Sequence, residues 1–115
     1  LIPGAALSYK LGVSDLQNLG ISTREDNGKY IDTLVYQKPE NISKKNKILV
    51  VDDINDSGRT FTSVKSILCS QYGLDGKNVY FACLIKRDST EFKESNTISG
   101  NTIYTSSWLM FPWDK

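Results

Sequence analysis

Histidine is absent from this chain, and methionine, proline and cysteine are scarce, at one, three and two residues. Without histidine, acid–base chemistry near neutral pH must come from carboxylates, lysine, tyrosine or water. Cys69 and Cys83 have neither the density nor the spacing of a disulfide framework or a zinc site, which predicts free core thiols in a reducing compartment. An excess of one charge is missing as well. Fourteen Lys and Arg against thirteen Asp and Glu leave a formal charge of +1, which argues against nucleic acid or a membrane surface as partner and for a small ligand. No apolar run approaches the roughly 20 residues of a membrane span, and no signal peptide is visible.

What is present fits one domain over residues 1–115, long enough to bury roughly two-thirds of its unfolded surface. The chain opens with Leu1 rather than Met, and "LIPGAALSYKLG" reads as though already inside a strand-to-helix turn, so an upstream segment is expected to be missing. Pro3 suits a first helical turn, Ala5, Ala6, Leu7 and Leu11 form an apolar stripe, and Gly12 can end it, predicting a helix over 3–12. Residues 16–23 read as a strand, 24–29 as a mobile polar loop, and 30–37, rich in β-branched and aromatic residues, as a second strand.

The run over 47–53, "KILVVDD", is apolar until its acidic end, as in a central strand of a parallel sheet covered on both faces. From Thr60 the period changes: Phe61, Val64, Ile67, Leu68 and Tyr72 recur at helical spacing before Gly73. Residues 78–86 form another buried strand, followed by a long polar excursion from Arg87 to Asn101 and a β-like aromatic tail. Strands alternating with helices predict an α/β fold with a mainly parallel central sheet flanked by helices.

Between the apolar strand and the helix lies the densest chemistry, in "ILVVDDINDSGRT" (48–60). Ligands of open α/β sheets bind beyond the carboxyl ends of the strands, which is where 52–60 fall. Backbone amides from Ser57 to Thr60 at a helix N-terminus, with the hydroxyls of Ser57 and Thr60, suit a phosphate. Asp52 and Asp53 point to opposite faces on a regular strand, but at its end one can meet sugar hydroxyls and the other a hydrated Mg²⁺, while Asp56 faces the same cleft. A phosphate-loop NTPase would need an upstream G-x-x-x-x-G-K-[ST], which is absent. A receiver domain would need a phosphorylatable Asp ending a later strand, and Asp88 is poorly placed. Plain helix capping explains Asp56 but not the acidic pair.

Those thirteen residues resemble the phosphoribosyl pyrophosphate (PRPP) signature of type I phosphoribosyltransferases, with one departure, Asn55, where the family usually has an apolar residue. "WLMFPWD" (108–114) resembles the tail of the xanthine-guanine (6-oxopurine) branch, and Lys86 falls at that branch's base-contacting lysine. The resemblance implies the type I phosphoribosyltransferase fold and a cytoplasmic purine-salvage enzyme, a homo-oligomer (dimer or tetramer), that uses PRPP, Mg²⁺ and a purine base. It implies that Asp52 and Asp53 bind ribose hydroxyls and the metal, and that Asp56, Ser57, Gly58, Arg59 and Thr60 hold the 5′-phosphate. Asp56 would serve as general base or cation stabiliser, Lys86 would donate to the exocyclic oxygen, Trp108 would stack on the purine, and the Leu109 backbone would meet its Watson–Crick edge. Family members carry a pyrophosphate loop just upstream of where this sequence starts, and a mobile lid where 24–29 lie. Blander roles remain open: a surface position for Lys86 or Arg59, and packing for Trp108 and Trp113. A non-catalytic PRPP-binding regulator of the same fold is the alternative reading.

Overall fold

The computed structural model describes residues 2–12 and 15–104. Helix α1 spans Ile2–Leu11, within a residue of expectation, and packs beside the strand that carries the acidic motif. Its apolar stripe is less buried than the pattern suggests: Leu7 is half-buried, while Ala6 and Leu11 are exposed.

Strands β1 (Gly20–Asp26) and β2 (Lys29–Gln37) pair antiparallel as a hairpin. The polar stretch 24–29 is therefore not the open loop the sequence suggested. Only Asn27 and Gly28 lie outside the strands, with φ of 51° and 75°, the pair of positive values that a type I′ turn requires. Residues 16–19, expected as strand, are irregular, and the pairing begins at Gly20. The base of the hairpin is closed by a reciprocal pair of bonds: the Gln17 side chain donates to the Glu40 carbonyl at 2.7 Å and accepts from the Glu40 amide at 2.6 Å. The Tyr72 hydroxyl, donating to the Pro39 carbonyl at 3.2 Å, ties that base to the end of the second helix.

Strands β3 (Ile48–Asn55), β4 (Val79–Arg87) and β5 (Thr97–Ile103) form a parallel sheet in the order β3-β4-β5, with Asp52 opposite Cys83 and Asn55 opposite Lys86. Among the described residues β4 is thus the central strand, and β3, expected there, has one strand neighbour. Nor is the sheet covered on both faces as expected: Leu49 on β3 and Tyr80 and Leu84 on β4 are exposed, so the continuous apolar run reported neither the ladder partners nor two covered faces. β5 also corrects the expected polar excursion, since 97–101 pair with β4. Serine, glycine and asparagine are poor strand formers, and here the edge of β4 imposes the extended form.

Helix α2 (Arg59–Gln71) buries Phe61, Val64 and Leu68 against the sheet, as the 3.6-residue spacing predicts. They meet Val79, Phe81 and Cys83 from β4, with Leu74 and Phe92 completing the core. Three rings sit at its centre: Phe61, Phe81 and Phe92 lie 4.7 to 5.4 Å apart in tilted or edge-on pairs, each pair worth about 0.5–1.5 kcal/mol beyond burial. Both thiols are free; Cys83 is buried and burial pushes its pKa up, whereas Cys69 is only half-buried.

Candidate active site

The site is built where β3 stops. Its last residue, Asn55, is 2% exposed although polar. Its amide nitrogen donates to the Phe92 carbonyl at 3.1 Å, and its oxygen accepts from the Thr90 hydroxyl at 2.8 Å. A buried amide so partnered avoids a desolvation penalty of about 1–3 kcal/mol. The family's usual apolar residue could make neither bond, so the departure noted in the motif has a structural purpose here: it fastens β3 to the segment following β4.

Beyond Asn55 the chain turns through Asp56, Ser57 and Gly58 into α2. Gly58, the N-cap, has φ of 93°, a left-handed value that disfavours any side chain. A Cβ there would also lie 2.6 Å from the Phe92 nitrogen and 2.9 Å from Thr90 Oγ1, so the turn is pressed directly against the segment after β4. The Ser57 hydroxyl accepts from the Arg59 amide at 3.3 Å, and the Thr62 amide donates to the Gly58 carbonyl at 3.0 Å, opening the helix. No acidic side chain occupies the first helical turn. Amides that have no acceptor within the helix, together with the positive end of its dipole, make this an anion-compatible surface.

Asp52, Ile54, Asn55, Asp56, Ser57, Gly58, Thr60 and Phe61 line one small cleft of about 120 Å³. The structure thereby unites Asp52, Asp56, Ser57, Gly58 and Thr60 from the predicted set. Neither Asp53 nor Arg59 lines this cleft, although the Asp53 carboxylate lies close enough to Asp52 to act on it. Lys86 lies at the end of β4 beside Asn55, half-buried, at the same end of the sheet. Trp108 and Leu109 lie outside the described residues, as do Trp113 and the rest of the aromatic tail.

Electrostatically the two cleft carboxylates differ. Asp52 is pushed up from the usual 3.8 to about 6, chiefly by burial, with the nearby Asp53 carboxylate adding to the rise and the Asp53 amide, which donates to Asp52 at 2.8 Å, opposing it. Asp56 is about half exposed and paired with Arg87, whose Nε donates to Asp56 Oδ1 from a side chain only 10% exposed. Arg87, Thr90 and Phe92 were not singled out in the sequence. The available signals were slight: a cation directly after Lys86 at the end of a buried strand, and a lone phenylalanine in a polar stretch.

No group of three or more carboxylate, cysteine or histidine side chains among the described residues is arranged to cage a metal. Two adjacent carboxylates of hard oxygen chemistry nevertheless suit an Mg²⁺ that retains most of its ligands as water and phosphate oxygens.

A parallel sheet, a glycine turn into a helix N-terminus and acids at the strand end make an α/β protein whose strand ends suit a phosphate-bearing ligand. The family follows from comparison: the phosphoribosyl transferase domain matches residues 3–114, and the chain belongs to that family. It is 28% identical over 115 residues to the xanthine-guanine phosphoribosyltransferase of Gluconobacter oxydans (strain 621H), covering 99% of this chain and 62% of that protein. In fold it resembles a purine phosphoribosyltransferase from Pyrococcus horikoshii, with a TM-score of 0.81 at 23% identity over all of this chain and 70% of the other. It also resembles the Helicobacter pylori xanthine-guanine-hypoxanthine phosphoribosyltransferase, with a TM-score of 0.61 at 23% identity over 83% and 60% of the two chains.

Proposed function

We propose that this protein transfers the 5-phosphoribosyl group of PRPP to a 6-oxopurine, giving a nucleoside monophosphate and pyrophosphate in cytoplasmic purine salvage. The observation that carries the reading is the single cleft joining Asp52 and Asp56 to the Ser57–Thr60 turn, in a member of the phosphoribosyl transferase family. The similarity to a xanthine-guanine phosphoribosyltransferase supports the choice of base.

In this reading the amides and hydroxyls of Ser57 to Thr60, with Arg59 at the rim, hold the 5′-phosphate. Asp52 and Asp53 meet the ribose hydroxyls and would hold Mg²⁺, which when bound stabilises negative charge on the pyrophosphate. As the bond from C1 to pyrophosphate breaks and the bond from C1 to a purine nitrogen forms, positive charge develops on the sugar. Carboxylates beside it stabilise that charge most where water is excluded. Asp56 receives the proton released by the purine or stabilises the cation. Lys86 has only hydrogens to offer, so it accepts a 6-oxo group and disfavours a 6-amino group. Trp108 stacks on the base, the Leu109 backbone reads its edge, and the protein works as a homo-oligomer.

Incubation with PRPP, Mg²⁺ and each of guanine, xanthine, hypoxanthine and adenine tests this. Monophosphate formation from one or more of the first three, with little or none from adenine, is expected. Turnover of adenine alone would refute the assignment, and PRPP binding without turnover of any base would favour the regulatory reading.

A further inference from the structure

The segment from Arg87 to Phe92 touches every residue of the turn that leads from β3 into α2. Arg87 donates to the Asp56 carboxylate. The Thr90 hydroxyl and the Phe92 carbonyl hold the Asn55 amide, and the Glu91 amide donates to the Ser57 carbonyl at 3.1 Å. The segment is itself braced, because the Thr90 amide donates to the Arg87 carbonyl at 3.0 Å and Phe92 is locked between Phe61 and Phe81. The ion pair is lopsided: its cation is the inner partner and its carboxylate the outer one, with side-chain exposures of 10% and 52%. A cation held inside by a packed strand end is a fixed anchor, so it dictates where the more exposed carboxylate rests.

We propose that Arg87 is a positioning residue for turnover, holding the Asp56 carboxylate over the cleft in the orientation that the reacting purine and ribose require. The inference rests on the phosphoribosyl-transfer reading and adds to it a residue that touches neither substrate. Because Arg87 directly follows Lys86 on β4, the arrangement also ties the carboxylate to the strand end that carries the base-contacting lysine.

The test is a double-mutant cycle in steady-state turnover with PRPP and the preferred base, using R87M, D56N and the double variant, with R87K as the charge-conserving control. R87M is expected to lower kcat about 10- to 100-fold, part of the typical contribution of an acid–base group. KM for PRPP should stay within about threefold, since the phosphate-binding turn keeps its bonds from Thr90, Glu91 and Phe92. If Arg87 acts through Asp56, the double variant falls no further than D56N, because two residues acting as a unit are not additive. R87K, retaining charge but not the planar guanidinium, should recover part of the loss. Should R87M fold poorly, R87K against R87K/D56N carries the same comparison. Multiplicative losses in an active wild type, or an unchanged kcat in R87M, would overturn the role of Arg87 alone. A wild type that makes no nucleotide from any base would instead overturn the functional reading, and the role in turnover with it.

Discussion

Of the four described glycines in the left-handed region, Gly28 and Gly58 stand in opposite surroundings. At Gly28, φ is +75° and a Cβ would meet nothing within 4 Å. At Gly58, φ is +93° and a Cβ would strike the Phe92 nitrogen, the Phe92 Cβ and Thr90 Oγ1, all within 3 Å. The hairpin turn is a local solution to reversing a chain, fixed by its own two residues and by Gln17 and Glu40 at its base. The turn into α2 is a tertiary construction, wedged against another strand's continuation and held there by buried polar bonds. The site needs its amides at fixed positions, and the packing that fixes them leaves no room for a side chain.

Substitution at the wedged turn should therefore give the largest effect. Gly58→Ala combines left-handed strain of about 1–3 kcal/mol with overpacking of a further 1–3 kcal/mol. Relief requires movement of the Phe92 backbone or of Thr90 Oγ1, which also carries the bond to Asn55. Urea denaturation should show a loss of about 2–5 kcal/mol. Calorimetric titration with guanosine monophosphate should show at least a tenfold loss of affinity, about 1.4 kcal/mol. A loss below about 1 kcal/mol would mean that the turn is as free as the hairpin tip.

A smaller effect, of opposite sign, is expected from the buried acid beside that turn. Asp52 is raised to about 6 by burial, so the folded protein keeps this proton in a range where the unfolded chain, near 3.8, has released it. Folding stability from this group is then fully present below the unfolded value and is lost as pH rises through about 6. Asp52→Asn removes the charge but keeps an acceptor for the Asp53 amide, so the variant should be more stable than wild type at pH 7.5, in metal-free buffer without ligand. The two should converge near pH 4. Partial solvent contact keeps the gain to about 1–2 kcal/mol rather than the full displacement at 1.36 kcal/mol per unit. Thermal unfolding across this range checks it, and a wild type that gains stability from pH 5 to 7 relative to the variant would reverse the sign. The destabilising charge thus sits at the proposed chemistry.

How much of this was legible in the sequence follows the same division. The run 48–60 could be read because its information is local: an apolar strand, acids at its end, and a small-residue turn before a helix-period pattern. Phe61, Val64 and Leu68 announced their burial by spacing, and the cleft collects five of the residues singled out within 52–60. The clamp that the Arg87–Phe92 segment forms on the turn could not be read, because each of its bonds to Asn55, Asp56 and Ser57 is long-range. Nothing in Thr90 or Arg87 reveals a partner 35 or 31 residues away, and Asn55 looked like a tolerated exception rather than a fastening. β5 was hidden for a related reason: Ser99, Gly100 and Asn101 interrupt the β-branched ends of TISGNTI, and its extended form is completed by pairing with β4. The hairpin was half legible. Its two β-rich flanks were recognised, but the charged residues between them obscured how far the pairing runs towards Asn27 and Gly28.

That tip supplies the smallest expected effect and the control for the first. Gly28→Ala keeps the left-handed requirement and removes the crowding, so only the backbone term of about 1–2 kcal/mol for a non-glycine residue remains. In a two-residue turn flanked by paired strands, part of that strain relaxes into the exposed loop, and a loss of about 1 kcal/mol or less is expected in urea. Guanosine monophosphate affinity should stay within about twofold, since Gly28 is not among the residues that line the cleft. The ratio of the two alanine variants then isolates what the clamp adds: left-handed strain is common to both, and any excess at position 58 comes from contact with Thr90 and Phe92. Equal losses at both sites would show that the 87–92 segment yields to the methyl group, and that the turn into α2 is held by its own backbone alone.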